Sequence, residues 1–132
     1  MTHDPVVIVR EILALAGAMD TDALAGYLHD DVVMELPFAP PPMRRRYEGK
    51  AAVVDFQRRA AATFASFTMT IDAVHATDGQ VIVAEHSSVG TAATTRGEYR
   101  NRYVTVFEID DEGLVRLWRE YYNPDAVRAA FF

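Results

Sequence analysis

The chain contains no cysteine among its 132 residues, so disulfide bonds and thiolate chemistry are both excluded. It also has no excess of positive charge. Its 13 basic and 19 acidic residues give a net charge of −6, which argues against a nucleic-acid partner or an anionic membrane surface. The amino terminus has no positively charged signal region, and no apolar run is long enough to span a bilayer. We therefore expect a soluble, cytoplasmic protein without a membrane or nucleic-acid partner.

Patterns that hold metals and nucleotide cofactors are missing as well. There is no glycine-rich phosphate loop and no Rossmann fingerprint. The histidines are scattered and include no helix-spaced pair. They are His3, His29, His75 and His86. The sequence thus predicts neither a metal site nor a cofactor.

Half of the residues are hydrophobic, which suits one core and therefore a single domain over residues 1–132. Asp4 is a good helix N-cap, Pro5 a good first helical position, and the apolar spacing that follows predicts a helix ending near Gly17. The later predictions are a helix over 21–28, a turn at 29–31, a strand over 32–36, a helix over 50–66, and strands over 67–73, 81–89, 99–109 and after 113. Helices followed by an antiparallel meander are typical of the α+β class, with space for a pocket between sheet and helices.

The closing strand carries the most informative pattern. Side chains alternate along a strand, so Trp118, Glu120 and Tyr122 lie on one face, with a carboxylate between two aromatic rings. In a dry cavity, desolvation would raise the pKa of Glu120 and suit it to proton transfer. The alternative is a structural carboxylate bonded to Arg102, Arg116 or a backbone amide.

Five motifs, by their order and spacing, resemble the nuclear transport factor 2 superfamily and, within it, the SnoaL-like and ketosteroid-isomerase-like proteins. They are MDTDAL (19–24), YLHDDV (27–32), YEGK (47–50), YRNRY (99–103) and REYYNP (119–124). The resemblance covers nearly the whole chain. It implies a cystatin-like cone, in which three amino-terminal helices pack on a strongly curved, mostly antiparallel sheet with an internal pocket, and it implies a homodimer. The closing motif is also similar to the phenazine-biosynthesis A/B proteins, in which a glutamate of this motif looks like an acid/base catalyst.

The steroid isomerases place a tyrosine and two aspartates at positions that hold Ile12, Leu36 and Thr105 in this chain. Steroid isomerisation by that mechanism is therefore not expected. SnoaL-like cyclases similarly place an acid/base carboxylate in the pocket, which makes Glu120 the best single candidate.

The resemblance implies three catalytic residues. Glu120 would move the proton, His86 would assist it, and Tyr103 would donate a hydrogen bond to a developing oxyanion. His86 and Tyr103 could instead be packed structural residues, and a one-residue register shift would turn Glu85 inward in place of His86. The predicted substrate-binding residues are Trp118, Tyr122, Leu36, Phe38, Ser88, Asn101 and Thr105.

Three consecutive arginines, Arg44, Arg45 and Arg46, form a basic cluster in an acidic chain. They could clamp a substrate carboxylate or phosphate. The favoured interpretation is a solvated loop or ion pairs with acidic neighbours at a dimer edge.

Together these observations predict a small, cofactor-independent SnoaL-like enzyme. It would carry out a proton-transfer reaction, namely isomerisation, cyclisation or dehydration, on an apolar cyclic or polyketide-like molecule. The alternative is a non-catalytic ligand-binding or dimerisation module of the same fold. An epoxide hydrolase would need paired carboxylates and an arginine converging on water, and only one good pocket carboxylate is visible.

Overall fold

The computed structural model describes residues 4–132, so His3 lies outside the described part of the chain. The helices are α1 (Pro5–Gly17), α2 (Thr21–Ala25), α3 (Lys50–Ala62) and α4 (Pro124–Phe131). The strands are β1 (Leu28–Glu35), β2 (Arg46–Glu48), β3 (Phe64–Ala76), β4 (Val81–Ala92), β5 (Glu98–Ile109) and β6 (Val115–Tyr122). No helix within residues 4–132 is long and apolar enough to cross a membrane.

The six strands form one sheet in the order β2-β1-β6-β5-β4-β3. Strands β3 to β6 form the predicted antiparallel meander, and β1 joins its end by pairing parallel to β6. Register shifts interrupt the β3–β4 ladder between Ile71 and Ala73 and the β5–β6 ladder between Glu108 and Ile109. Such bulges bend strands, which lets the sheet curve around the helices. The predicted α+β class is confirmed.

Helix α1 begins and packs as the sequence predicts. The Asp4 side chain accepts a hydrogen bond from the Val6 amide at 2.9 Å. The apolar face of α1 is buried. The carboxyl end of α1 lies directly on β3, because a Cβ added at Gly17 would sit 3.0 Å from the Cβ of Met69. This contact closes one side of the space between helix and sheet.

Two helix ends were predicted too late. The helix predicted over 21–28 ends at Ala25, and residues 29–31, predicted as a turn, belong to β1. The Val115 amide donates to the Tyr27 carbonyl at 2.8 Å, so residues from 27 onward pair with β6 and do not continue the helix. Likewise α3 ends at Ala62, because residues 64–66 pair with β4. Ladder hydrogen bonds outweigh helix propensity at both places.

Two elements were missed. Strand β2 is short and is defined by its antiparallel pairing with β1. Asn123 is the N-cap of helix α4, because its side chain accepts a hydrogen bond from the Asp125 amide at 3.0 Å. Pro124 occupies the first helical position. That Asn-Pro pair is a helix start signal from which α4 could have been predicted.

The core lies between the helices and the inner face of the sheet. Its largest fully buried side chains include Trp118 and Phe107, whose ring centroids are 5.0 Å apart across β5 and β6. The inner face therefore carries both the core and, further along the same strands, the cavity.

Candidate active site

A cavity of about 520 Å³ lies between the inner face of the sheet and the helices. Most of its walls are apolar. They include Leu13, Ala16, Leu24, Met34, Phe56, Ala60, Phe64, Phe67, Met69, Trp118, Val127 and Phe131. Besides Asp20, whose side chain caps α2, the polar residues that line it include one carboxylate and four tyrosines. These are Glu120, Tyr47, Tyr99, Tyr103 and Tyr122. A mostly apolar cavity of this size with a few convergent polar groups is typical of a small-molecule site.

Strand β6 supplies the carboxylate. Trp118, Glu120 and Tyr122 all line the cavity, as strand alternation requires. Glu120 is half-buried, and its side chain lines the cavity. The Trp118 indole N–H donates to Glu120 Oε1 at a long 3.4 Å.

Glu120 has no cationic partner in the part of the chain that the structure describes. Within residues 4–132, no arginine, lysine or histidine nitrogen lies within 4.0 Å of its carboxylate. Arg102 is exposed on the outer face, and Arg116 lies beside His29, 3.1 Å from its Nε2. Burial therefore acts almost unopposed and raises the pKa of Glu120 from 4.5 to about 7, with the Trp118 hydrogen bond lowering it slightly. The structural carboxylate considered above is not what the structure shows.

Tyrosine hydroxyls form a hydrogen-bonded group beside the carboxylate. The Tyr103 hydroxyl lies 2.7 Å from both Ser88 Oγ and the Tyr99 hydroxyl, and the Asn101 side-chain amide donates to Tyr99 at 2.9 Å. Burial raises the pKa of Tyr99 to about 12 and that of Tyr103 further still. Both phenols therefore stay protonated and can act as hydrogen-bond donors at any physiological pH.

Tyr122 completes this end of the cavity. Its ring packs edge-on against Tyr103 with centroids 6.2 Å apart, and its buried hydroxyl has no hydrogen-bond partner among residues 4–132. Burial raises its pKa, and the nearby Glu120 carboxylate adds to that shift. This hydroxyl is therefore a polar group on the cavity wall that is not committed to another described side chain.

His86 lies one layer behind the cavity. It is 1% exposed, faces inward as predicted and stacks on Tyr103 with ring centroids 4.7 Å apart and an interplanar angle of 13°. Its Nε2 lies 2.8 Å from Thr105 Oγ1, and burial lowers its pKa from 6.5 to about 4. The considered register shift does not occur, since Glu85 points outward to His75. His86 is therefore a neutral ring that supports Tyr103 and does not line the cavity.

The other predicted substrate-binding residues lie elsewhere. Ser88, Asn101 and Thr105 are buried on the inner face but do not line the cavity. Their short side chains are covered by longer rings and are used in fixed hydrogen bonds. Ser88 holds Tyr103, Thr105 holds His86, and Asn101 ties β5 to the start of α4, because its Oδ1 accepts from the Asn123 amide at 2.9 Å.

Leu36 and Phe38 were predicted as cavity walls and are not. Leu36 is 1% exposed within the core, whereas Phe38 is 51% exposed and packs edge-on against Tyr121 at 5.5 Å. Tyr121 has the opposite parity to Tyr122, so this contact places Phe38 on the outer face of the sheet. The chain turns at Pro37, which takes Phe38 away from the inner face.

The sequence analysis missed several residues of the cavity. Tyr99 lies on the same face of the predicted strand as Tyr103, so the alternation of side chains could have predicted that it faces the cavity. Phe56 and Ala60 lie in the helix predicted over 50–66, where spacing alone cannot distinguish a cavity wall from plain core. Phe131 belongs to the missed helix α4. Within residues 4–132, no group of three or more histidine and acidic side chains is placed to hold a metal ion.

Comparison with known proteins agrees with this arrangement. The family model for the SnoaL-like domain matches residues 9–118. The chain is 30% identical over 124 residues to the uncharacterised protein YesE of Bacillus subtilis, covering 93% of this chain and 84% of that protein. It is 25% identical over 96 residues to an uncharacterised PhzA/B-like protein of Pseudomonas aeruginosa, covering 73% and 67% respectively.

Solved structures share the fold. A crystal structure of a candidate isomerase from Bacillus subtilis superposes with a TM-score of 0.83 at 30% identity, covering 94% of this chain and 89% of the other. Enzymes of lower identity share the fold alone, among them a LEH-like epoxide hydrolase of Mycobacterium tuberculosis (TM-score 0.72, 24% identity, 98% and 88% covered). The resemblance seen in the sequence motifs is confirmed, and the chain belongs to the SnoaL-like family within the nuclear transport factor 2-like superfamily.

Proposed function

We propose that this protein is a cofactor-independent enzyme that moves a proton on a mostly apolar, cyclic small molecule, in an isomerisation, cyclisation or dehydration. One observation carries the proposal: Glu120 lies in an apolar cavity without a cationic partner in the described chain. A carboxylate placed there costs stability, and charged groups are seldom buried without a partner. A general acid or base is the chemistry that such a carboxylate suits best.

The geometry supports a division of roles. With a pKa near 7, Glu120 exists in both protonation states at neutral pH, so it can take a proton from a carbon next to a carbonyl group and return it to another position. Tyr103 would donate a hydrogen bond to the carbonyl oxygen as negative charge develops on it. The proton moves from substrate to Glu120 and back, so no other reactant is required.

Epoxide hydrolysis is supported less well. That reaction would need a second carboxylate to activate water, as the sequence already suggested. Asp20 is the other acidic residue that lines the cavity, and its side chain caps α2 by accepting from the Ala23 amide at 3.1 Å. A proton transfer with one carboxylate and tyrosine donors fits the cavity better.

The test combines a titration with an exchange assay. Carbon-13 NMR of the side-chain carboxyl should show Glu120 titrating near 7. Cyclic ketones and enones incubated with the protein in D2O should gain deuterium, and Glu120→Gln should lower that rate by about 10²–10⁴-fold. Glu35→Gln is the control, because it removes a carboxylate that pairs with Arg119 at 3.3 Å outside the cavity.

A Glu120 that titrates near 4.5, or a Glu120→Gln variant that exchanges as fast as the native protein, would refute the proposal. Ligand binding without exchange, together with an ordinary Glu120 titration, would favour the non-catalytic binding module instead.

The homodimer implied by the resemblance stays a prediction. The outer sheet face exposes a small apolar patch made of Val104, Tyr121 and Phe38, in which Val104 pairs with Tyr121 across β5 and β6. Burying such a patch would favour association. Sedimentation equilibrium of the native protein and of Val104→Lys would test it.

A further inference from the structure

The mouth of the cavity carries one arginine without an acidic partner. Arg44 lines the cavity and is exposed to solvent, and its guanidinium carbon lies 4.8 Å from the centre of the Tyr47 ring. Within residues 4–132, no carboxylate lies within 4.0 Å of its nitrogens. Stacking on Tyr47 holds the guanidinium plane and leaves its N–H groups able to donate.

The two neighbouring arginines are used differently. Arg46 Nε donates to Glu48 at 2.8 Å, and its NH1 lies 3.6 Å from Glu35. Arg45 Nε donates to the Ala39 carbonyl at 3.0 Å. Neither of them lines the cavity. Of the favoured interpretation, ion pairing with acidic neighbours fits Arg46, and the solvated loop fits Arg44, which is exposed and lies outside any helix or strand.

The remaining charged groups of the cavity already have partners or are buried. Arg59 donates to Asp55 at 2.9 Å, and Asp20 caps α2. Glu120 lies beside aromatic rings, and its carboxylate would repel a second negative charge. Arg44 is therefore the place at which this cavity can accept an anion, in a protein whose net charge of −6 would otherwise repel one.

We propose that the substrate carries a carboxylate, which Arg44 binds at the mouth while the apolar, cyclic part fills the cavity. This inference rests on the proposed function, because it names the substrate class of the same site. A guanidinium forms a two-bond pair with a carboxylate and neutralises its single charge, whereas a phosphate dianion would keep a net negative charge in a protein whose own net charge is −6. The arrangement fixes the direction of the substrate, since the anion stays outside and the carbon that loses its proton lies inside.

The experiment uses a matched pair of probes, biphenyl-4-ylacetate and biphenyl-4-ylacetamide, which differ in charge and hardly in shape. Trp118 is the only tryptophan and lines the cavity, so quenching of its fluorescence reports binding, with titration calorimetry as a second readout. In 50 mM salt the native protein should bind the acid about 5-fold or more tightly than the amide. Arg44→Gln should abolish that preference and leave the amide affinity within twofold, and Arg44→Lys should restore part of it.

Arg46→Gln is the matched control, because it removes the same charge outside the cavity and should keep the preference for the acid. Equal binding of acid and amide by the native protein would overturn the anion site, as would an equal loss in Arg44→Gln and Arg46→Gln. Either result leaves the role of Glu120 untouched. Failure of both compounds to bind would count against the cavity as a ligand site and thus against both proposals. Tight binding of the acid, together with no deuterium exchange into the cyclic ketones and enones, would overturn the enzymatic proposal and leave the anion site standing.

Discussion

The buried carboxyl of Glu120 should make the stability of the protein depend on pH in a defined direction. The pKa of this group is about 7 in the folded protein and 4.5 in the unfolded chain, so the folded state holds the proton more tightly. The contribution is therefore fully present below pH 4.5 and is lost as pH rises through 7. Between pH 5 and pH 8, these two values correspond to a loss of about 2–3 kcal/mol in the free energy of unfolding.

Urea denaturation of the native protein and of Glu120→Gln, at pH steps from 5 to 8.5, measures this loss. Glutamine keeps the shape and cannot ionise, so the difference between the two proteins isolates Glu120. Native stability should fall relative to the variant as pH rises, and Glu120→Gln should be the more stable protein at pH 8. Glu35→Gln again serves as the control for removing a carboxylate outside the cavity, and the pH-dependent difference of Glu120→Gln has to exceed that of the control.

A difference that stays flat over this range would show that water solvates Glu120 through the cavity as well as bulk water does. A difference of the opposite sign would show that the folded protein stabilises the carboxylate. Either result would refute the reasoning that burial between Trp118 and Tyr122 governs this group.

Two further predictions test the surroundings of the cavity. A Cβ at Gly90 would lie 2.4 Å from the Ser66 carbonyl oxygen, so Gly90→Ala should lower the free energy of unfolding, measured by urea denaturation, by about 1–3 kcal/mol. Gly79→Ala is the control and should leave that free energy nearly unchanged, because no atom lies within 4 Å of the added Cβ. The pKa of His86 is lowered to about 4, so proton NMR should show its ring neutral at pH 5.5. The contribution of His86 to stability, measured as the difference between the native protein and His86→Gln, should fall as pH drops from 6.5 toward 4, because only the unfolded chain takes up that proton. A ring that titrates near 6.5 would contradict the neutral stack on Tyr103.

Local patterns in the sequence were sufficient for much of the fold. Alternation placed Trp118, Glu120 and Tyr122 on one face, since a strand has no other way to direct its side chains. Capping by Asp4 fixed the start of α1 for an equally local reason. Strand β2 and the true end of α3 were not predictable in this way, because each depends on hydrogen bonds to a strand that is distant in sequence.

The residues of the candidate site also differ in whether local sequence or tertiary structure determined their positions. By itself, strand alternation determined which residues share a face, and the family resemblance implied that the face with Glu120, Tyr103 and His86 points inward. Only the tertiary structure decided which of them reach the cavity. That depends on side-chain length and on what packs in front, so Tyr103 lines the cavity while His86 stacks behind it. Among residues 4–132, the tertiary structure also left Glu120 without a cation and Arg44 without a carboxylate, because ion pairs form between residues that only folding brings together.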